Sequence, residues 1–99
     1  MRERDIEKRL VREVRKNGGE AYKWTSPGKD GVPDRIVVLP GGVLIFVELK
    51  ADDGVLSPVQ RIQIERLRKL GQRVEVVRGM RSLEEFLRRE VMQDEVHAT

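Results

Sequence analysis

Two short apolar segments separated by a Pro-Gly-Gly turn constrain the fold more than any other feature of the sequence. The first covers residues 35–39 and the second residues 43–47, with Pro40, Gly41 and Gly42 between them. Runs of β-branched residues bounded by Pro and Gly are typical of strands joined by a tight turn. The two segments therefore predict an antiparallel β-hairpin centred on Gly41.

This hairpin brings two carboxylates together. Pairing across a turn centred on Gly41 sets Asp34 directly opposite Glu48, and directly opposed residues point to one face with Cβ atoms about 4.5–5.5 Å apart. Strand alternation places Lys50 on the same face. At about 5 Å and an effective dielectric constant near 20, two carboxylates repel by roughly 3 kcal/mol. A divalent cation between them would reverse this sign, and oxygen ligands suit Mg²⁺ or Mn²⁺.

The three side chains together indicate a chemistry. An ammonium group beside carboxylates that bind a metal can activate a water or stabilise a developing oxyanion. Asp34, Glu48 and Lys50 therefore predict metal-dependent hydrolysis of a phosphodiester. The alternative is that Asp34 ends a turn and that Glu48 and Lys50 lie on an exposed edge. A lone Glu-x-Lys is common, but Pro-Asp and Glu-x-Lys in register on consecutive strands are much more specific.

Three motifs of the chain resemble one nuclease family. Gly31-Val32-Pro33-Asp34, Glu48-Leu49-Lys50 and Ser57-Pro58-Val59-Gln60 are similar to motifs of the PD-(D/E)XK nuclease superfamily. Within it, they resemble the standalone form of the virus-type replication-repair nuclease (VRR-NUC) domain. The resemblance covers roughly residues 1–80. It implies an α/β, restriction-endonuclease-like core with a mixed β-sheet flanked by helices.

The resemblance also implies roles for individual residues. Asp34 and Glu48 would bind Mg²⁺ or Mn²⁺, with the Leu49 carbonyl as a further ligand. Lys50 would orient or deprotonate the attacking water, and Gln60 would reach toward the bound phosphate or its water. From the residues alone, Gln60 completes a helix capping box, Ser-x-x-Gln, and the two roles are compatible.

The first segment of the chain predicts an amphipathic helix over residues 2–16, ended by Asn-Gly-Gly. The resemblance implies that a glutamate of this helix faces the active site. Glu7 is the best positional match, and Glu3 and Glu13 are poorer matches. From the residues alone, Glu7 is a surface charge.

Residues 20–25 predict a short strand with Tyr22 and Trp24 on one face. We expect both aromatic side chains in the core, and base stacking is the alternative if they are exposed. The loop at residues 26–31 is either a plain connection or a phosphate-contacting segment. Contacts to backbone phosphates, which position DNA without reading its sequence, are expected from Lys23, Ser26, Lys29 and Arg35.

The second half of the chain predicts helix, strand, helix. Residues 58–70 form the second helix, and a strand at 73–77 pairs in parallel with the second hairpin strand because a helical crossover joins them. The expected buried residues of the second helix include Ile62, Leu67 and Leu70. A second capping box, Ser82 to Glu85, predicts the start of a last helix. Its apolar face comprises Leu83, Phe86, Leu87 and Val91.

Composition limits the remaining possibilities. Ninety-nine residues suit one domain, assigned to residues 1–91 with a flexible tail at 92–99. The absence of Cys and the single His exclude a disulfide framework and a zinc site of the thiolate or His-rich kind. Without a membrane-spanning run or signal peptide, we expect a cytoplasmic protein of a bacterium or of a virus-infected host cell. The net charge of +3 is compatible with nucleic acid.

The expected function is metal-dependent, structure-selective cleavage of branched DNA. The resemblance implies four-way junctions as substrates and a homodimer, which offers two active sites to a symmetric junction. The alternatives are a monomeric flap or other repair nuclease, and an inactive DNA-binding or protein-interaction module on the same fold. The complete Asp, Glu and Lys set favours catalysis. A chain this short leaves no recognition domain, which argues against a sequence-specific restriction enzyme.

Overall fold

A computed structural model describes residues 2–92 of the chain. The order of elements agrees with the predicted helix, three strands, helix, strand and helix. The expected tail at 92–99 lies outside the described residues, apart from Met92. No helix within residues 2–92 is long and apolar enough to cross a membrane. The elements are α1 (Glu3–Lys16), β1 (Glu20–Lys23), β2 (Arg35–Leu39), β3 (Val43–Lys50), α2 (Pro58–Lys69), β4 (Val74–Arg78), α3 (Gly79–Phe86) and a closing π-helical turn (Leu87–Val91).

The four strands form one mixed sheet in the order β1-β2-β3-β4. The first two pairings are antiparallel, and β3 pairs with β4 in parallel, with α2 as the crossover. The predicted hairpin register is confirmed, because Arg35 pairs with Val47 and Leu39 pairs with Val43. The α/β core with a mixed sheet flanked by helices is thus the predicted one.

The main hydrophobic core lies between the sheet and the layer formed by α1, α3 and the π-helical turn. In α1, Ile6, Leu10 and Val14 recur every four residues and are completely buried, as expected for one face of a helix. The predicted apolar face of the last helix is confirmed, since its four residues all belong to this core. The strand residues in the same core are Ala21, Val37, Leu39, Ile45, Val47, Leu49 and Val77.

The opposite face of the sheet is only partly covered, because α2 contacts β4 and has a single buried residue, Ile64. The predicted burial of Ile62 and Leu70 is wrong, since these side chains are 61% and 63% exposed. At 3.6 residues per turn, Ile62 lies about 200° around the helix from Ile64. Only one of the apolar stripes of α2 therefore meets the sheet, and Leu67 is half-buried.

The two aromatic residues near β1 have different environments. The Trp24 ring is half-buried and lies 5.2 Å from the Phe46 ring, measured between centroids. The predicted core position of Tyr22 is wrong, since this side chain is 57% exposed. It points away from α1, while the neighbouring Ala21 is buried, and α2 does not extend over this edge of the sheet.

The last helix also begins earlier than predicted. It starts at Gly79, directly after β4, with Arg78 in the N-cap position and no side-chain cap. Ser82 therefore lies inside the helix, and the predicted capping box does not form. The positive φ of Gly79, 79°, allows the chain to turn from strand to helix without a connecting loop.

Candidate active site

Asp34 lies one residue before β2, where the β2–β3 register sets it opposite Glu48. Its carboxylate accepts a hydrogen bond from the Leu49 backbone N–H at 2.8 Å. Its backbone carbonyl accepts one from the Trp24 N–H at 3.0 Å. The side chain is thus held at the end of the hairpin beside the β3 residue that it faces, in agreement with the prediction from turn geometry.

The loop that leads into Asp34 is fitted against the start of α2. Gly31 has a φ of +84°, and a Cβ atom there would lie 2.7 Å from the backbone carbonyl of Val59. Only glycine tolerates both the left-handed backbone and this close approach. The contact holds the Gly-Val-Pro-Asp segment and the first turn of α2 at the same side of the site.

Glu48 is the most buried charged residue of the site, with a residue exposure of 1%. Its Oε2 atom accepts a hydrogen bond from Gln60 Nε2 at 3.1 Å and lies 3.6 Å from Lys50 Nζ. Burial, and secondly the charge of Asp34, raise the pKa of Glu48 to about 7, against the opposing effect of Lys50. Its Oε1 atom is buried and has no hydrogen-bond partner among the described residues.

Gln60 completes the predicted capping box and also contacts Glu48. Its side-chain oxygen accepts from the Ser57 N–H at 2.9 Å, and its backbone N–H donates to Ser57 Oγ at 3.1 Å. This capping box fixes the start of α2. The amide nitrogen remains available and donates to Glu48, so that the cap also positions a carboxylate of the site.

Lys50 ends β3 on the face of Glu48, and its side chain is only 15% exposed. The turn that follows it is anchored to the start of α3. Arg78 Nε donates to the Gly54 carbonyl at 2.7 Å, and a Cβ atom on Gly79 would overlap the Asp52 carboxylate. These contacts restrain the chain on the carboxyl side of Lys50 and leave its ammonium group directed at Glu48.

Glu3 and Glu7, on one side of α1, lie in different surroundings. Glu7 is held by Arg35 Nε at 2.9 Å, on the α1 side of the sheet. Glu3 instead experiences the charges of both Asp34 and Lys50. Its pKa is raised, mainly by burial and secondly by the negative charge of Asp34, while the positive charge of Lys50 lowers it. Glu3 and Glu7 are one helical turn apart, so that their spacing in the sequence did not distinguish them.

The four residues expected to contact phosphates lie in different environments. Lys23 is exposed at the end of β1. In the loop before Asp34, Lys29 is exposed and Ser26 is half-buried. Arg35 is only 16% exposed, because it binds both Glu7 and the Ala21 carbonyl, the latter at 3.0 Å. Its guanidinium group is therefore engaged mainly within the protein.

The donor set fits a hard divalent cation. Among residues 2–92 no three His, Cys, Asp or Glu residues are close enough to hold a metal ion by themselves. Mg²⁺, however, is usually bound by one or two carboxylates, with waters and substrate phosphates completing its shell. Asp34 and Glu48 supply two carboxylates, and the unpartnered Oε1 atom of Glu48 is a buried acceptor that a cation would satisfy.

The chain is similar in sequence to known proteins. The model of the VRR-NUC domain family matches residues 2–81. The protein named "Putative nuclease p44" of Acyrthosiphon pisum secondary endosymbiont phage 1 is 54% identical over 77 residues, which are 78% of this chain and 83% of that protein.

Two solved structures show the same fold. One, described as a VRR_NUC domain, superposes with a TM-score of 0.81 at 30% identity and covers 89% of this chain and 96% of that chain. Another, described as a VRR_NUC domain protein, gives a TM-score of 0.72 at 18% identity, with coverages of 94% and 89%. At that identity the second structure supports the fold alone.

Proposed function

This chain belongs to the VRR-NUC domain family of nucleases, and we propose that it is a Mg²⁺- or Mn²⁺-dependent endonuclease that cuts branched DNA. The observation that carries this proposal is the convergence of Asp34, Glu48 and Lys50 at one end of the hairpin, with a buried Glu48 oxygen that has no partner among the described residues. Two repelling carboxylates destabilise the metal-free protein. Such an arrangement is expected where a cation has to be bound.

Asp34 and Glu48, with the Leu49 carbonyl, would hold the cation. When bound, it would lower the pKa of a water and stabilise the negative charge that develops on the phosphodiester. Gln60 keeps the Glu48 carboxylate in place through its side-chain amide. Lys50, 3.6 Å from the same carboxylate, would orient or deprotonate the attacking water and stabilise the developing charge. We assign the α1 carboxylate of the site to Glu3 in place of Glu7.

The small size of the domain favours a substrate that is selected by its shape. A domain of this size, with a net charge of +3, has too small a surface to surround a duplex or to read many base edges. Most of its affinity would come from phosphates, which carry no sequence information. Selectivity would then depend on DNA shape, and a two-fold homodimer presents two active sites to the arms of a four-way junction.

The distribution of exposed apolar residues supports a second copy of this chain as the partner. Tyr22, Val38 and Leu44, here called the open face, lie on the side of the sheet that α2 leaves uncovered and are 57%, 37% and 44% exposed. Contiguous exposed apolar surface on a small domain indicates a protein interface. The open face shares a sheet surface with Glu48 and Lys50, so that a partner bound there would place its own active site nearby.

Incubating the protein with labelled four-way, flapped and linear DNA in Mn²⁺ tests this proposal. We expect the four-way junction to be cut well ahead of linear duplex, with little sequence preference and no cleavage in EDTA. Equal rates on linear duplex and junction would contradict the structural selectivity. Undiminished cleavage in EDTA would contradict the metal-dependent mechanism.

The oligomeric state is tested by replacing Leu44 with Glu. A charge on the open face should convert a dimer to a monomer, because a buried unpaired charge costs several kcal/mol. Light scattering measures the mass, and Val55→Glu is a matched control, since Val55 is 78% exposed in the loop before α2. A wild-type monomer, or a Leu44→Glu variant that remains dimeric, would contradict this interface.

A further inference from the structure

A cationic cleft lies along α1, on the side of the sheet opposite α2. It has a volume of about 430 Å³. Among its lining residues, four are cationic, one is acidic and one is apolar. They are Lys8, Arg12, Arg15, Arg35, Glu7 and Val11.

Three of the cations form a row on α1. Lys8, Arg12 and Arg15 are spaced by four and three residues, which places them on one side of a helix. The row is about 10 Å long at a rise of 1.5 Å per residue. Arg35 lies at the bottom of the cleft, bound to Glu7 and to the Ala21 carbonyl.

The internal partners of the row leave most of its charge accessible. Arg12 approaches Glu13 only at 3.9 Å and is 67% exposed, and Arg15 binds Glu20 at 3.2 Å and is 65% exposed. Exposed pairs of this kind contribute little to stability, so that an anion can replace them. Lys8 has no ion-pair partner within residues 2–92.

We propose that this cleft binds successive phosphates of one strand of the nucleic acid whose cleavage was proposed above, so that the inference rests on that function. The side chain of Arg35 lies on the α1 side of the sheet, where it binds Glu7. One helical turn before Glu7, Glu3 experiences the charges of Asp34 and Lys50, so that the cleft begins where the first turns of α1 approach the active site. Phosphates of one strand are spaced about 3.4 Å along the duplex axis. A row of about 10 Å can thus follow roughly three of them. The DNA would run from the carboxylates along α1, away from α2.

The double variant Arg12→Ala, Arg15→Ala tests the inference, with Arg66→Ala, Lys69→Ala on α2 as a control that removes the same charge from exposed positions. Fluorescence anisotropy measures binding of a labelled four-way junction between 50 and 200 mM salt, in the Glu48→Gln background to prevent cleavage. We expect the α1 pair to weaken binding about tenfold and to reduce the slope of log K against log salt by about 2. The α2 pair should change affinity less than twofold.

A separate readout distinguishes this inference from the proposed function. In protein that carries Glu48, the α1 variant should cleave junctions at the wild-type rate once protein is saturating, because its active site is intact. If the α1 and α2 double variants changed affinity and salt slope equally, while wild-type protein still bound and cut DNA, the assignment of the cleft would be wrong and the proposed function would stand. Wild-type protein that neither binds nor cuts DNA would overturn the proposed function and the cleft with it. Thermal denaturation of each variant verifies that it is folded.

Discussion

Replacing Glu48 with Gln is expected to lower metal-dependent cleavage about 10³-fold or more and to stabilise the metal-free protein above pH 7. The loss of activity follows because a neutral amide is a poor ligand for Mg²⁺ or Mn²⁺. The hydrogen bond from Gln60 can persist, since an amide oxygen also accepts it. The fold should therefore be unchanged while the charge is removed.

The gain in stability has a defined sign and pH range. Because the pKa of Glu48 is raised from 4.5 to about 7, the folded protein retains a proton that the unfolded chain releases between these values. Stability contributed by this group therefore falls as pH rises from 4.5 to 7 and remains low above 7. The Gln variant avoids this penalty, which is on the order of 1–3 kcal/mol. The two proteins should melt alike near pH 4.

Thermal denaturation at pH 4, 6 and 8 in EDTA measures this difference, alongside cleavage in Mn²⁺. Glu65→Gln, which removes an exposed carboxylate of α2, is the matched control and should alter neither property. A Glu48→Gln variant that melts below the wild type at pH 8 would contradict the electrostatic strain assigned to the site. Cleavage by that variant at near wild-type rate would remove Glu48 from the mechanism.

Replacing Lys50 with Ala is expected to lower the single-turnover rate about 10²–10³-fold while Mn²⁺ affinity stays within a few-fold of the wild type at pH 8. In the proposed mechanism the ammonium group would act on the water and on the transition state, and it would not ligate the cation. Its removal also eliminates the charge that opposes the rise in the pKa of Glu48. The variant should therefore need a higher pH than the wild type for full metal binding.

Single-turnover cleavage at saturating Mn²⁺, with calorimetric titration of the metal, separates the two effects. Lys69→Ala is a matched control, since Lys69 is exposed at the end of α2. Near-normal turnover in the Lys50→Ala variant would exclude Lys50 from the chemistry. If the variant lost both metal binding and turnover at pH 8, Lys50 would have a structural role at the metal site.

The centre of the site was predictable from sequence because its geometry is local. A hairpin with a short turn has one register, and this register sets Asp34 opposite Glu48. Burial on the other face of the sheet was not predictable, because periodicity shows that Ile62 and Tyr22 lie on apolar stripes but not which stripes another element covers. The start of α3 was missed because Gly79 begins the helix directly at the end of β4.

In the first helix, too, the sequence does not show which side chains the fold brings to the site. Glu3 and Glu7 are four residues apart and share one side of α1, so that sequence position cannot decide which of them reaches Asp34. The decision depends on how α1 crosses the sheet and on Arg35, which binds Glu7. The spacing of Lys8, Arg12 and Arg15 places them on one side of α1, but only the fold shows that Arg35 lines the same cleft.

Titration of Mn²⁺ into the wild type, Asp34→Asn and Glu48→Gln proteins at pH 8 tests the central claim most directly, with Glu65→Gln as the control. Calorimetry measures metal binding alone and does not depend on knowing the DNA substrate. We expect the wild type and the control to bind Mn²⁺ and both site variants to lose detectable binding while keeping their fold. Undiminished binding in both variants would show that the metal site lies elsewhere and would contradict the assignment of Asp34 and Glu48.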